Sequence, residues 1–296
     1  MPYLGEISAL ATALLWSFTS IFFSEASLRV GSLQVNLNRL LIASLFLIIT
    51  IPAMGFDTGV SLRQILLLSL SGIIGLIFGD SYLFKAFHHI GARLSMLIMS
   101  SAPAMTAVLA YIFLGEQLSF FGIVGITVTL AGIAMVVLQR SEQPASKYKI
   151  SRIGIFYGFL GALGQAAGVI LAKLAFNESD INGFVAAFIR IFSAAMLMLP
   201  VGLMLKKYRN PVKAYAKERK ALVFTILGTI TGPYLGITLS LVAVANANTG
   251  IAATLMATVP IMMLPLVHFF YKEKLSVTSV LGAFVTVGGM VILFLV

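Results

Sequence analysis

Ten apolar runs follow one another along this chain, each close to the ~20 residues that a helix needs to cross the hydrocarbon core of a bilayer. Their approximate limits are 3–24, 33–52, 64–87, 91–113, 118–138, 152–173, 183–205, 219–242, 248–270 and 276–296. The runs are continuous and lack the alternation of a membrane barrel, so they predict helices. In lipid each segment must satisfy its own backbone N–H and C=O groups, which a helix does within itself. With 59% hydrophobic and 10% charged residues, the chain has too few charges to clothe a water-facing exterior. A soluble cytosolic or secreted enzyme is thereby excluded. The first run is too long and too poor in basic residues for a cleaved signal peptide, and is predicted as helix 1. With no cysteine in the chain, disulfides, thiol nucleophiles and thiolate metal sites are ruled out.

The two halves repeat each other. A shift of 157 residues carries Gly75 onto Gly232, Gly79 onto Gly236, Ala86 onto Ala243, Met99 onto Met256 and Pro103 onto Pro260. The same register continues through Glu116 onto Glu273, Gly125 onto Gly282 and Gly132 onto Gly289. Nearer the start of each half the shift is about 150, with Gly5 on Gly154, Ala13 on Ala162 and Arg39 on Arg190. This predicts a first five-helix repeat over 1–138, a linker over 139–151 and a second repeat over 152–296. After five crossings the chain emerges on the opposite face, so the second repeat enters the membrane upside down. The predicted fold class is an all-α polytopic membrane protein, ten transmembrane helices forming two inverted repeats around a central cavity.

The formal charge of +10 is a topology signal before it is anything else. Sixteen of the twenty basic residues lie on the odd-numbered connections, the densest cluster being 206–220 between helices 7 and 8. The positive-inside rule then puts the odd loops in the cytoplasm and both termini outside, in a multi-pass plasma-membrane protein. No nucleic-acid partner is needed to explain the charge.

The segment Phe78–Val137 and its second copy Thr249–Ile292, together with Leu14–Trp16 and the Arg39 near the start of helix 2, resemble the EamA domain of the drug/metabolite transporter superfamily. That resemblance implies two inverted five-helix repeats, a central cavity and transport of small metabolites, often export of amino acids or related compounds.

Candidate site residues fall into three groups. Asp80 is the one carboxylate well inside a span, and an intramembrane acid suggests proton coupling or recognition of a substrate amine, or else a hydrogen-bonded structural acid. Arg39 and Arg190 occupy equivalent places near the starts of helices 2 and 7; they can receive a substrate carboxylate, pair with loop acids or snorkel. Their inverted placement predicts one on each side of the membrane. A second group, predicted to line the substrate cavity, comprises Trp16, Ser20, Tyr82, Ser95, Met99, Gln165, Tyr234, Thr254 and Met256. The alternative for these is packing, because Ser and Thr glue membrane helices and Met fills gaps. Such a ring suits a zwitterionic or amphipathic metabolite. A third group comprises Pro103 and Pro260, expected to kink helices 4 and 9, and Glu116 and Glu273 at the ends of those helices, as gating acids or caps of the next helix.

No phosphate loop, HExxH or nucleophile elbow occurs, so catalysis, a metal and a cofactor are not expected. The leading expectation is a secondary transporter working by alternating access, driven by a proton or substrate gradient, in a monomer or weak homodimer. The alternatives are a membrane enzyme acting on a lipid or prenyl phosphate, and a non-transporting scaffold.

Overall fold

The computed structural model describes residues 3–115, 117, 119–138, 151–246, 255–272 and 274–295. Among them every regular element is helical. In chain order these are α1 (Leu4–Val30), α2 (Ser32–Ala53), α3 (Leu62–Gly72), a π-helical segment π1 (Ile73–Gly79), α4 (Asp80–Met99), α5 (Ala102–Leu114) and α6 (Phe120–Leu138). The second half holds α7 (Arg152–Phe176), α8 (Gly183–Met204), the short α9 (Pro211–Lys217), α10 (Arg219–Thr229), π2 (Ile230–Gly236), α11 (Ile237–Asn246), α12 (Val259–Tyr271) and α13 (Val277–Leu295). Six helical stretches among the described residues are long and apolar enough to span a bilayer: α1, α2, the 38-residue course Leu62–Met99, α6, α7 and α8. The protein is a multi-pass membrane protein.

Local chemistry sets the boundaries. Gly31 (φ 92) turns α1 into α2 in a backbone conformation that a side chain would resist. A capping box starts α3: Gln64 N donates to Ser61 Oγ (3.2 Å) and Ser61 N donates to Gln64 Oε1 (3.0 Å). The same Gln64 amide donates to the carbonyls of Ala175 (3.1 Å) and Ser179 (2.9 Å), tying this helix start to the end of α7. Arg63 and Glu178 form an ion pair of 3.2 Å there. At the other end of the bundle the basic connection is pinned to α2, through reciprocal bonds between Gln34 and the Arg209 backbone (3.0 and 3.1 Å).

The fourth and ninth helices differ from the sequence expectation. Gly91 (φ 74, ψ 170) interrupts the helical backbone where the expected third and fourth runs meet, but a turn at Ser100–Ser101 then divides the expected fourth helix and separates α4 from α5. Pro103 therefore sits in the first turn of a new helix, where its missing N–H leaves no helical carbonyl without a donor; it does not kink a continuous one. Pro260 likewise sits in the first turn of α12, after a turn at Ala257–Thr258, and is buried. Glu116 and Glu273 lie outside the described residues.

Glycines let backbones meet. A Cβ on Gly132 would stand 2.5 Å from Thr286 N, and one on Gly289 would stand 2.4 Å from Thr129 N. A Cβ on Gly125 would lie 2.7 Å from Gly289 O, and one on Gly282 2.9 Å from Gly132 O. As the number rises along α6 it falls along α13, so the two helices run antiparallel. Elsewhere Gly75 and Gly79 face α7 at Gly168, Gln165 and Gly164, while Gly232 and Gly236 face α1 at Thr19 and Trp16. These close approaches replace the hydrophobic drive that lipid does not supply.

Candidate functional site

A cavity of about 620 Å³ lies among α1, α2, α4, α7, α8 and α11, with the α4–α5 turn and the start of α12 also lining it. That volume is in the range of pockets that hold drug-sized ligands. Its wall is mainly aromatic and aliphatic, including Phe23, Leu83, Phe87, Met96 and Met290. Among the described residues, Arg39, Asp80 and Arg190 are the ionisable side chains that line it.

The two π-helical segments shape the wall. In π1 the Asp80 N–H reaches back five residues to Gly75 O, which displaces the normal hydrogen-bond ladder. Side-chain amides attend to the altered carbonyls: Gln165 Nε2 donates to Gly75 O (3.2 Å) and Asn36 Nδ2 to Leu76 O (3.0 Å). In π2, Pro233 lacks an N–H to donate, which removes one rung of an α-helix at that point.

The same amides hold the charges. Asp80 pairs through Oδ2 with Arg39 Nη2 and accepts from Gln165 Nε2 through Oδ1 (2.6 Å). Arg39 Nε donates to Asn36 Oδ1 (2.9 Å), and its guanidinium lies over the rings of Phe23 (5.5 Å) and Phe84 (5.2 Å). Asp80 is 5% and Arg39 8% exposed, so the pair is largely withdrawn from solvent while it borders the cavity. Arg39 does not snorkel to the membrane edge, nor does it pair with a loop acid. Arg190 lines the same cavity, so both helices present their arginines inward to one space. The buried Nε of Arg190 has no hydrogen-bond partner. Among the described residues no carboxylate lies within ion-pair distance of it.

Of the other expected residues, Trp16, Ser20, Met99, Gln165, Met256 and Pro103 line the cavity. Tyr82 does not: it packs on Phe78 (4.8 Å between ring centres) and Tyr157 (5.5 Å), with the Lys85 ammonium 4.6 Å from its ring centre. Tyr234 turns toward α2, with its ring 5.3 Å from that of Phe46 and its hydroxyl 3.0 Å from Thr50 Oγ1. Ser95 is fully buried and spends its hydroxyl on Gly91 O (2.7 Å). Pro260 is absent from the wall, whereas its neighbour Val259 is part of it. Thr254 lies outside the described residues. The wall also contains Thr19, Phe23 and Pro233, which sequence reasoning passed over although Thr19 adjoins Ser20 and Pro233 sits in a glycine-rich stretch.

A bundle of apolar helices around a charged internal cavity is the build of a membrane transporter. The EamA-like transporter family model matches residues 3–138 and again residues 152–295, and the chain belongs to that family. It is similar to an uncharacterized transporter of Archaeoglobus fulgidus, with 20% identity over 291 residues that cover 98% of this chain and 97% of that protein. A solved crystal structure of a protein shares the fold at a TM-score of 0.66 and 18% identity, over 97% of this chain and 94% of that one. The family membership and the transporter relative point to a membrane transporter rather than an enzyme.

Proposed function

We propose that the protein is a secondary carrier of small organic metabolites that works by alternating access, its ten spans forming two inverted five-helix repeats. One observation carries the reading. Residues related by the internal repeat line one cavity: Trp16 and Gln165, Ser20 and Val169, Arg39 and Arg190, Leu76 and Pro233, Asp80 and Ile237, Met99 and Met256. Two halves that contribute equivalent surfaces to one space can exchange conformations and so open that space to either side. The two π segments support the reading, since a shift of 157 residues carries Ile73–Gly79 onto Ile230–Gly236. So does the antiparallel seam of α6 and α13, in which repeat-related glycines meet. The repeats are 1–138 and 152–296, with 139–151 between them.

In this reading the site residues are Trp16, Ser20, Met99, Gln165 and Met256 with the three charged groups. Asp80 acts as a brace more than as a proton carrier, because both of its oxygens are engaged. The basic odd-numbered loops face the cytoplasm of a plasma-membrane exporter. The test is counterflow in proteoliposomes preloaded in turn with amino acids, organic acids, amines, nucleosides and sugar phosphates. Accelerated exchange of at least one class is expected. Movement of none of them above protein-free vesicles defeats the carrier reading.

A further inference from the structure

Charge within the cavity does not balance. Two arginines and one aspartate line it among the described residues, which leaves one positive charge in excess. The aspartate is already spoken for: Arg39 occupies one oxygen and Gln165 the other. Arg190 has neither an ion pair nor a hydrogen bond to its buried Nε, and Asp80 attracts it only across a longer gap. One of its amino groups is packed against Gly75, where a Cβ would stand 3.4 Å from Nη2. The guanidinium thus lies beside a glycine of π1 without being neutralised. Arg190 is half-buried with its Nε fully enclosed, and a cation so far withdrawn from water is costly unless something brings it an anion.

Resting on the carrier reading above, we propose that the transported molecule is an organic monocarboxylate with an apolar aryl or branched body, its carboxylate seated on Arg190. The guanidinium offers adjacent N–H donors at the spacing of carboxylate oxygens. The rest of the wall suits the body: Trp16 and Phe87 give flat apolar faces, while Met96, Met99, Met256 and Met290 adapt to irregular shapes. A zwitterion fits less well, because its ammonium finds no uncommitted acid among the described residues. A phosphate dianion fits less well too, since Arg39 is committed to Asp80 and the second cation is missing. The amphipathic zwitterion expected from the polar residues alone is replaced by a lipophilic monoanion.

The test holds the body constant and varies the charge. Full-length protein in lipid nanodiscs is titrated calorimetrically at pH 7.5 with 3-phenylpropionate, phenylalanine, 2-phenylethylamine, 3-phenylpropionamide and phenyl phosphate, and with 4-methylpentanoate as a branched carboxylate. Both carboxylates are expected to bind at least tenfold more tightly than the zwitterion, the amine, the amide and the phosphate. Arg190→Gln should weaken carboxylate binding by about ten- to a hundredfold, the worth of a charged hydrogen bond, and bring it to the level of the amide. Arg190→Lys should keep part of the preference. Equal or tighter binding of phenylalanine or phenylethylamine overturns the proposal, as does failure of both carboxylates to bind. So does a well-folded Arg190→Gln protein that binds carboxylates as wild type does. If that variant does not fold, the ligand series on the wild-type protein still decides. A protein that exchanges amines or zwitterions in liposomes but binds no carboxylate defeats this inference and leaves the carrier reading standing; one that exchanges nothing defeats the carrier reading itself.

Discussion

Replacing Asp80 by Leu isolates the energetic role of the buried pair. The substitution keeps a side chain of similar size but strips Arg39 of its carboxylate, leaving Asn36 Oδ1 at 2.9 Å and the faces of Phe23 and Phe84. Breaking a buried pair by removing one partner costs about 3–5 kcal/mol, because the other charge stays buried. The two ring faces contact Arg39 in both proteins, so their cation–π contribution cancels in the comparison. The expected loss is therefore about 3–5 kcal/mol. The chain has a single tryptophan, Trp16, which lines the cavity, so its fluorescence reports unfolding in an SDS titration of the micellar protein. The double variant Arg39→Met with Asp80→Leu removes both charges and should recover to within ~1 kcal/mol of wild type, since an apolar replacement of a buried pair is often neutral or better. A single variant that loses less than ~1 kcal/mol, or a double variant that loses more than the sum of its parts, refutes the brace.

Adjacent glycines on α13 should respond in opposite ways. Gly289→Ala drives a Cβ to 2.4 Å from Thr129 N and should cost ~1–3 kcal/mol in the same titration. Gly288→Ala meets nothing within 4 Å and should be neutral or stabilising by ~0.5–1 kcal/mol from the better helix former. Ser61→Ala breaks the capping box of α3 and should cost ~0.5–2 kcal/mol of thermal stability. In the basic connection, burial raises the Tyr208 and Tyr215 phenols above their ordinary value of 10.0. Their contribution to stability is therefore full below pH ~10 and lost as pH climbs from there through the raised values. An alkaline melting series should show that loss, and Tyr215→Phe should flatten it while lowering stability at neutral pH through the lost bonds to Asn38 and Thr225.

The long helices were legible because lipid forces the backbone to close its own hydrogen bonds, so apolar runs translate almost directly into elements. Expected limits of 183–205 and 152–173 became Gly183–Met204 and Arg152–Phe176. The break at Gly91 falls where the expected runs 64–87 and 91–113 meet, whereas the turn at Ser100–Ser101 was hidden, since an apolar run reads the same through a break that neighbouring helices stabilise. The π segments have no propensity signature either; side-chain amides serve the altered ladder in π1, and Pro233 removes a rung in π2. Arg39 and Asp80 were visible as rare charges, but their contact depends on the rotation of α2 against α4, which composition does not encode. For the same reason Tyr82 and Tyr234 could be placed on a helix without being placed on its cavity face. Ser95 was a decoy of another sort, its hydroxyl satisfied by its own helix four residues back.

At the seam of α6 and α13, Gly132 meets the stretch around Thr286 while Gly289 meets the stretch around Thr129, and Thr286 stands 157 residues beyond Thr129 just as Gly289 stands beyond Gly132. Each helix thus offers its counterpart the same patch, turned end for end. In a dimer of identical subunits such a patch would be called isologous, and it closes on itself without leaving a surface for a third copy. A single chain that contains both faces fulfils that closure internally. Along this seam the two faces cover each other, and two half-length chains of suitable sequence could meet there as one long chain does.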